Sequence, residues 1–281
     1  MQQLTGVASG VPYVALAPER ESDRGTHATP LVVVWHLADP PRTETAMAAA
    51  LPLAGLEAWR VYLGLPLHGS RMPDGGLDAY FQLGYEDAVL KVFDPVCRQA
   101  VEEFPPALAA LRDQLPLGDG PLGLVGGSIG ALVALSVLAE IDLPVRAVAL
   151  ASPAIRLASV VAANERRFSV TYPWTERSRA AADRLDFVAR ADQIARRDAA
   201  MQLIVGARDD EGFRTPAEQL WQALSRHTPE RTALTTIPEM GHLLAEEPGL
   251  DPAPQTPHAK RVDAEMAGWF QRHLTSARPA S

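Results

Sequence analysis

A chain of 281 residues with 47% apolar content can bury one large α/β core or two smaller ones, and its composition gives no sign of disorder. Its formal net charge of -8, with no clustered run of Lys and Arg, excludes a general nucleic-acid-binding surface, and no apolar run approaches the roughly 18 residues that would span a bilayer. With one cysteine, Cys97, an internal disulfide and a cysteine-based zinc site are excluded, and no metal or cofactor is expected.

Met1-Gln2-Gln3-Leu4-Thr5-Gly6 lacks the basic start and apolar core of a signal peptide, so the cytoplasm is the expected compartment. Residues 4 to 17 read as two short strands around Ser9-Gly10, and residues 18 to 30 as a polar loop. Nearly continuous apolar segments follow at Leu31 to Trp35, Trp59 to Leu65, Leu122 to Val125, Val145 to Ala151, Met201 to Val205 and Thr232 to Ile237. Continuous rather than alternating patterning means burial on both faces, as in a parallel sheet covered by helices. Helices are expected at about 43–54, 85–103 with a kink at Pro95, 107–115, 130–140, 215–226 and 258–274.

This alternation specifies an α/β fold with a mostly parallel central sheet, formed by residues 1–281 as a single domain. The last helix is the clearest, with Val262, Met266, Trp269, Phe270 and Leu274 on one face. Residues 154–199 exceed what one crossover helix needs and carry Phe168, Tyr172 and Trp174 around Pro173; they read as a small helical cap over the carboxyl edge of the sheet. Cys97, preceded by Val92, Phe93 and Val96, reads as a small buried helix-face residue rather than a reactive thiol.

The third of these apolar segments ends in Gly126-Gly127-Ser128-Ile129-Gly130 and passes into an Ala/Leu/Val-rich helix. A tight strand-to-helix turn of this kind needs glycine two residues either side of the serine, because neighbouring backbone comes too close for side chains there. It lifts the Ser128 hydroxyl out of the sheet and leaves the Ile129 amide at a helix start, where the unpaired N–H groups favour a developing negative charge. A serine hydroxyl needs a base, and the base an orienting group. After Val205 comes Gly206-Ala207-Arg208-Asp209-Asp210-Glu211, where Asp209 is the chosen carboxylate, although an ordinary solvated acidic turn accounts for the same run. After Ile237 comes Pro238-Glu239-Met240-Gly241-His242, and His242 is the best placed of seven histidines. His227 and His273 sit near helix ends, His27 and His258 in polar contexts, and His36 and His68, which precede Ser128, read as loop-positioning residues.

With Gly126-Gly127-Ser128-Ile129-Gly130, Gly206-Ala207-Arg208-Asp209 and Gly241-His242 in that order, the chain resembles the α/β-hydrolase superfamily over nearly its full length. The doubled glycine and modest cap look like the dienelactone-hydrolase and prolyl-oligopeptidase-like branch, though no propeller precedes the catalytic part and serine stands where dienelactone hydrolases usually have cysteine. The resemblance implies an oxyanion hole of two backbone donors. One is Ile129, and the other is Leu37 or Ala38 in Trp35-His36-Leu37-Ala38-Asp39, where Leu37 replaces a common glycine.

The expected function is that of a serine hydrolase cleaving small carboxylic esters through an acyl-enzyme on Ser128, with Asp209 orienting His242. An oligopeptidase or amidase uses the same chemistry, and a ligand-binding protein without catalysis could use the same fold. The expected partner is a small-molecule ester, with neither nucleic acid nor membrane. Phe168, Tyr172, Trp174 and the loop from His68 to Gly76 are expected to shape the pocket.

Overall fold

Eight strands form one sheet in the order β1-β2-β4-β3-β5-β6-β7-β8 in a computed structural model that describes residues 3–20 and 29–274. They are β1 (Gln3–Ala8), β2 (Val11–Leu16), β3 (Leu31–Trp35), β4 (Trp59–Leu63), β5 (Leu122–Gly127), β6 (Val145–Ala151), β7 (Ala200–Gly206) and β8 (Thr232–Ile237). The first two make an antiparallel hairpin, with Ser9 and Gly10 at positive φ in its turn, and β2 is antiparallel to β4. Every later pairing is parallel. Residues 21–28, which hold most of the expected polar loop and His27, lie outside the described residues.

The strand period of two divides the core between the faces of the sheet. In β3, Val33 and Trp35 join an apolar cluster on one side, while Val32 and Val34 join a second cluster on the other. The first side is covered by α3 (Asp94–Gln114), α4 (Ile129–Glu140), α5 (Leu157–Phe168) and α8 (Glu211–Ser225). The second is covered by α1 (Glu44–Ala50) and α9 (Pro257–Leu274). In α4, all residues from Ile129 to Leu138 are buried, which is why its sequence is apolar all round. Cys97 is buried in α3, and burial pushes its thiol up to about 12.

Several helix boundaries differ from the sequence expectation, each for a local reason. The first helix stops at Ala50 rather than near residue 54, because the Asp263 carboxylate of α9 accepts the backbone N–H of Leu53 at 2.6 Å and of Ala54 at 3.3 Å, holding the chain in a turn. An unexpected α2 (Gly76–Asp87) leads into a π-helical turn, Ala88–Phe93, before α3 begins. Pro95 falls at the start of α3, directly after that π-helical turn, so the irregularity in the helix lies just before the proline. Pro105 and Pro106 lie inside α3, which runs unbroken through the expected gap between residues 103 and 107. Between β6 and β7 come α5, α6 (Glu176–Arg184) and the short α7 (Ala191–Ala195). No helix among the described residues is long and apolar enough to cross a membrane.

Candidate active site

Ser128 stands between β5 and α4 with φ 46° and ψ −116°, a conformation that side chains other than glycine rarely adopt. Close packing holds it there. A Cβ on Gly130 would lie 2.5 Å from the carbonyl oxygens of both Trp35 and His36, so α4 could not then start against β3. At Gly127, a Cβ would run into the Leu37 side chain. The doubled glycine thus makes room for the fully buried Leu37 of the neighbouring loop.

Asp209 and His242 reach Ser128 from the ends of β7 and β8, with β6 lying between β5 and β7 in the sheet. Asp209 follows β7 with its side chain 2% exposed, and the Asp210 N–H donates to its Oδ1 at 2.7 Å. Its Oδ2 lies 2.9 Å from His242 Nδ1, and His242 Nε2 lies 2.9 Å from Ser128 Oγ. A carboxylate can only accept, so Nδ1 carries the proton and Nε2 is left to accept the Ser128 hydroxyl. The neighbouring Asp210 is engaged elsewhere, capping α8 by accepting the Gly212 N–H at 2.7 Å and pairing with Arg166 at 2.5 Å. Glu211 is exposed. The Phe213 ring packs at 4.1 Å from the imidazole.

Of the two loop amides, Leu37 N–H donates to the Pro41 carbonyl at 3.2 Å. The amides of Ala38 and of Ile129, at the start of α4, have no hydrogen-bond partner among the described residues. Asp39 follows directly, its Oδ2 4.0 Å from His242 Nε2. Arg42, with its side chain 6% exposed, ties this loop to the one that carries His242: it donates to the Ala38 and Pro248 carbonyls and pairs with Glu247 at 3.2 Å. Three further bonds run between the same segments, Leu244 N–H to Pro40, Arg42 N–H to Gly249 and Thr43 Oγ1 to Leu250.

His36 and His68 lie beneath this loop rather than beside Ser128. The Leu65 N–H donates to His36 Nε2 at 3.1 Å, so its Nδ1–H donates to the Leu37 carbonyl at 2.7 Å. His68 faces the Pro66 carbonyl through Nδ1, and its ring stands edge-on to His36 and Tyr80. Burial, reinforced by the neighbouring His68, lowers His36 to about 3; burial lowers His68 to about 4.

A cavity of about 400 Å³ adjoins the site. Its lining runs from Ala38, Asp39 and Arg42 across α2 and the π-helical turn to α5 and residues 170–173. It includes Phe168 and Tyr172, while Trp174 packs edge-on against Tyr172 just behind it. Asp39, Arg42 and Phe213 are the site residues that sequence reasoning did not single out.

No protein-family model matches the chain, and no curated protein matches it. Solved structures do. A Thermus thermophilus protein, TT1662, is similar at a TM-score of 0.66 and 19% identity, over 99% of this chain and 100% of its own. Carboxyl esterase 2 from the mycorrhizal fungus Tuber melanosporum is similar at 0.60 and 16% identity, over 97% of this chain and 85% of its own. A puromycin-hydrolyzing peptidase from Mycobacterium tuberculosis is similar at 0.62 and 17% identity over 97% of this chain, which spans only 40% of that protein. The shared architecture is the α/β-hydrolase fold.

Proposed function

We propose that this chain of α/β-hydrolase fold is a serine hydrolase that cleaves small carboxylic esters. The observation that carries the reading is the unbroken relay from Ser128 Oγ through His242 to Asp209, with 2.9 Å at each link. His242 Nε2 takes the Ser128 proton as Oγ attacks the acyl carbonyl, and Asp209 stabilises the imidazolium that forms. The unpartnered Ala38 and Ile129 amides receive the oxyanion, each worth about 3 kcal/mol in the transition state. Collapse expels the alcohol, which takes the proton back from Nε2. Water, deprotonated by the same nitrogen, then releases the acid and restores Ser128.

Esterases and a peptidase both stand among the similar structures, and the two reactions share one acyl-enzyme chemistry, so turnover of the two substrate types separates them. The test is intact mass after treatment with a fluorophosphonate, together with turnover of p-nitrophenyl esters beside matched anilides. The expected result is one covalent adduct, abolished in Ser128→Ala, and faster turnover of the esters. Unmodified protein after prolonged exposure would sink the reading.

A further inference from the structure

The cavity beside Asp39 has a lining that restricts what it can hold. Among the described residues, the large hydrophobic side chains that stand exposed are Val7, Phe81, Tyr85, Phe168 and Val170, and all but Val7 line this cavity. Apolar surface left open in one place marks a binding site rather than scatter. Tyr85 and Phe168 meet edge-on with ring centroids 6.5 Å apart.

Every charge in the lining already has a partner among the described residues. Arg42 is spent on Glu247 and two carbonyls, Arg167 pairs with Asp39 at 3.5 Å, and Glu86 pairs with Lys91. Glu165 accepts the Tyr172 N–H at 2.7 Å. No cation of the lining is left without a carboxylate partner for an anionic ligand, and Glu165 is the one lining carboxylate whose partner is an N–H rather than a cation. Among the described residues, the lining side chains with no hydrogen-bond partner are uncharged: the Tyr80 hydroxyl, on a residue 8% exposed, the Tyr85 and Thr171 hydroxyls, and the Asn164 amide.

We propose that this cavity binds a bulky, uncharged apolar group of the ester, of aryl or medium-chain alkyl size, with Tyr80 and Asn164 bonding a neutral polar substituent. The proposal rests on the hydrolase reading and names its substrate class. Ala38 and Asp39 join the cavity to the reacting atoms: Ala38 supplies an oxyanion amide, and Asp39 lies 4.0 Å from His242 Nε2. The Asp39 carboxylate also disfavours a second negative charge close to the scissile bond.

The test is kcat/KM across two series of neutral esters, p-nitrophenyl esters of lengthening acids and acetates of lengthening alcohols, with Gly84→Phe as the blocking variant. Gly84 lines the cavity on α2, and a Cβ there meets nothing within 4 Å, so the added ring has room to enter without disturbing the helix. In one series, kcat/KM should rise at least 30-fold from the two-carbon group to an eight-carbon or phenylalkyl group. Gly84→Phe should cut that long-to-short ratio at least tenfold, and esters of equal length ending in a carboxylate or an ammonium should be at least tenfold slower than the neutral one. Flat series, an unchanged ratio in the variant, or equal turnover of charged esters would overturn the proposal. If Ser128 still takes the fluorophosphonate, the hydrolase reading survives that result; absent labelling removes both.

Discussion

The Ser128 elbow and the aromatic wall of the cavity meet at Ala38 and Asp39, but their surroundings differ. Ser128 is 6% exposed and its flanking glycines are closed in by backbone and by Leu37, whereas Phe81, Tyr85 and Phe168 stand 42%, 68% and 46% exposed. Ser128 and Asp209 sit at the ends of the buried strands β5 and β7, His242 follows the half-exposed edge strand β8, and side-chain hydrogen bonds link the three. The wall is built from helix faces with open space beside them. On the proposed reading, chemistry that tolerates little displacement lies on the more closely packed part of the molecule, and selectivity on the more open part.

If that division holds, substitutions at the elbow lose turnover by orders of magnitude, and the largest loss is expected at His242. His242→Ala should lower kcat on a p-nitrophenyl ester by about 10⁵-fold with the protein still folded by circular dichroism. Asp209→Asn should lower it by about 10⁴-fold. Asp210→Asn, at the α8 cap, should leave kcat within a fewfold and lower stability by less than about 1 kcal/mol, since Asn caps as Asp does and the Arg166 pair is exposed. A large kinetic loss at Asp210 would move the orienting role one residue along and break the comparison at its centre.

Acid is the next largest lever, and it acts beneath the oxyanion loop. His36 and His68 are lowered to about 3 and about 4 in the folded chain, while an unfolded histidine titrates near 6.5. The unfolded state therefore binds more protons below pH 6.5. Stability contributed by the neutral rings is complete above that value and is lost as pH falls toward about 4 for His68 and about 3 for His36. Between pH 7 and pH 5 the two rings together should cost about 4 kcal/mol of unfolding free energy, read from urea melts at the two pH values. Equal melts would mean that the rings are not held neutral in the folded state.

The smallest effects make the sharpest contrast, because one substitution serves both regions. Gly130→Ala, whose Cβ would meet two backbone carbonyls at 2.5 Å, should destabilise by about 3 kcal/mol. Gly84→Ala, whose Cβ meets nothing within 4 Å, should stabilise by about 0.5 to 1 kcal/mol through helix propensity. Both are measured by urea unfolding. Effects of the same sign would show that the wall is as tightly packed as the elbow.

The same division accounts for what could be read from the chain alone. The elbow is legible because close approach of backbone imposes glycine at fixed spacing, and the buried strands are legible because burial on both faces imposes unbroken apolar runs. Asp209 is chosen from an acidic run that a solvated turn explains as well, and what distinguishes it from Asp210 is which carboxylate reaches His242 and which caps α8. The second loop donor stayed open between Leu37 and Ala38, because whether an amide is already engaged depends on the chain returning at Pro41. Asp39, Arg42 and Phe213 carry no spacing signal: each meets its partner through tertiary packing. The start of α2 was hidden by Gly75-Gly76, and the π-helical turn after it has neither a 3.6-residue nor a two-residue period.

The ties between residues 38–43 and 244–250 bear on the order in which the site assembles. One segment follows the third strand and the other follows the last, so during synthesis the early segment waits through the translation of nearly all the sheet before its partner emerges. Until then Arg42 has neither Glu247 nor the Pro248 carbonyl, Asp39 has no imidazole beside it, and the loop carrying the Ala38 amide is untied. β3, β5 and β6, which frame Ser128, all precede the segment that carries His242 in the chain. On the proposed reading, the nucleophile is synthesised first, and its base and the ties that restrain the Ala38 loop come together, late.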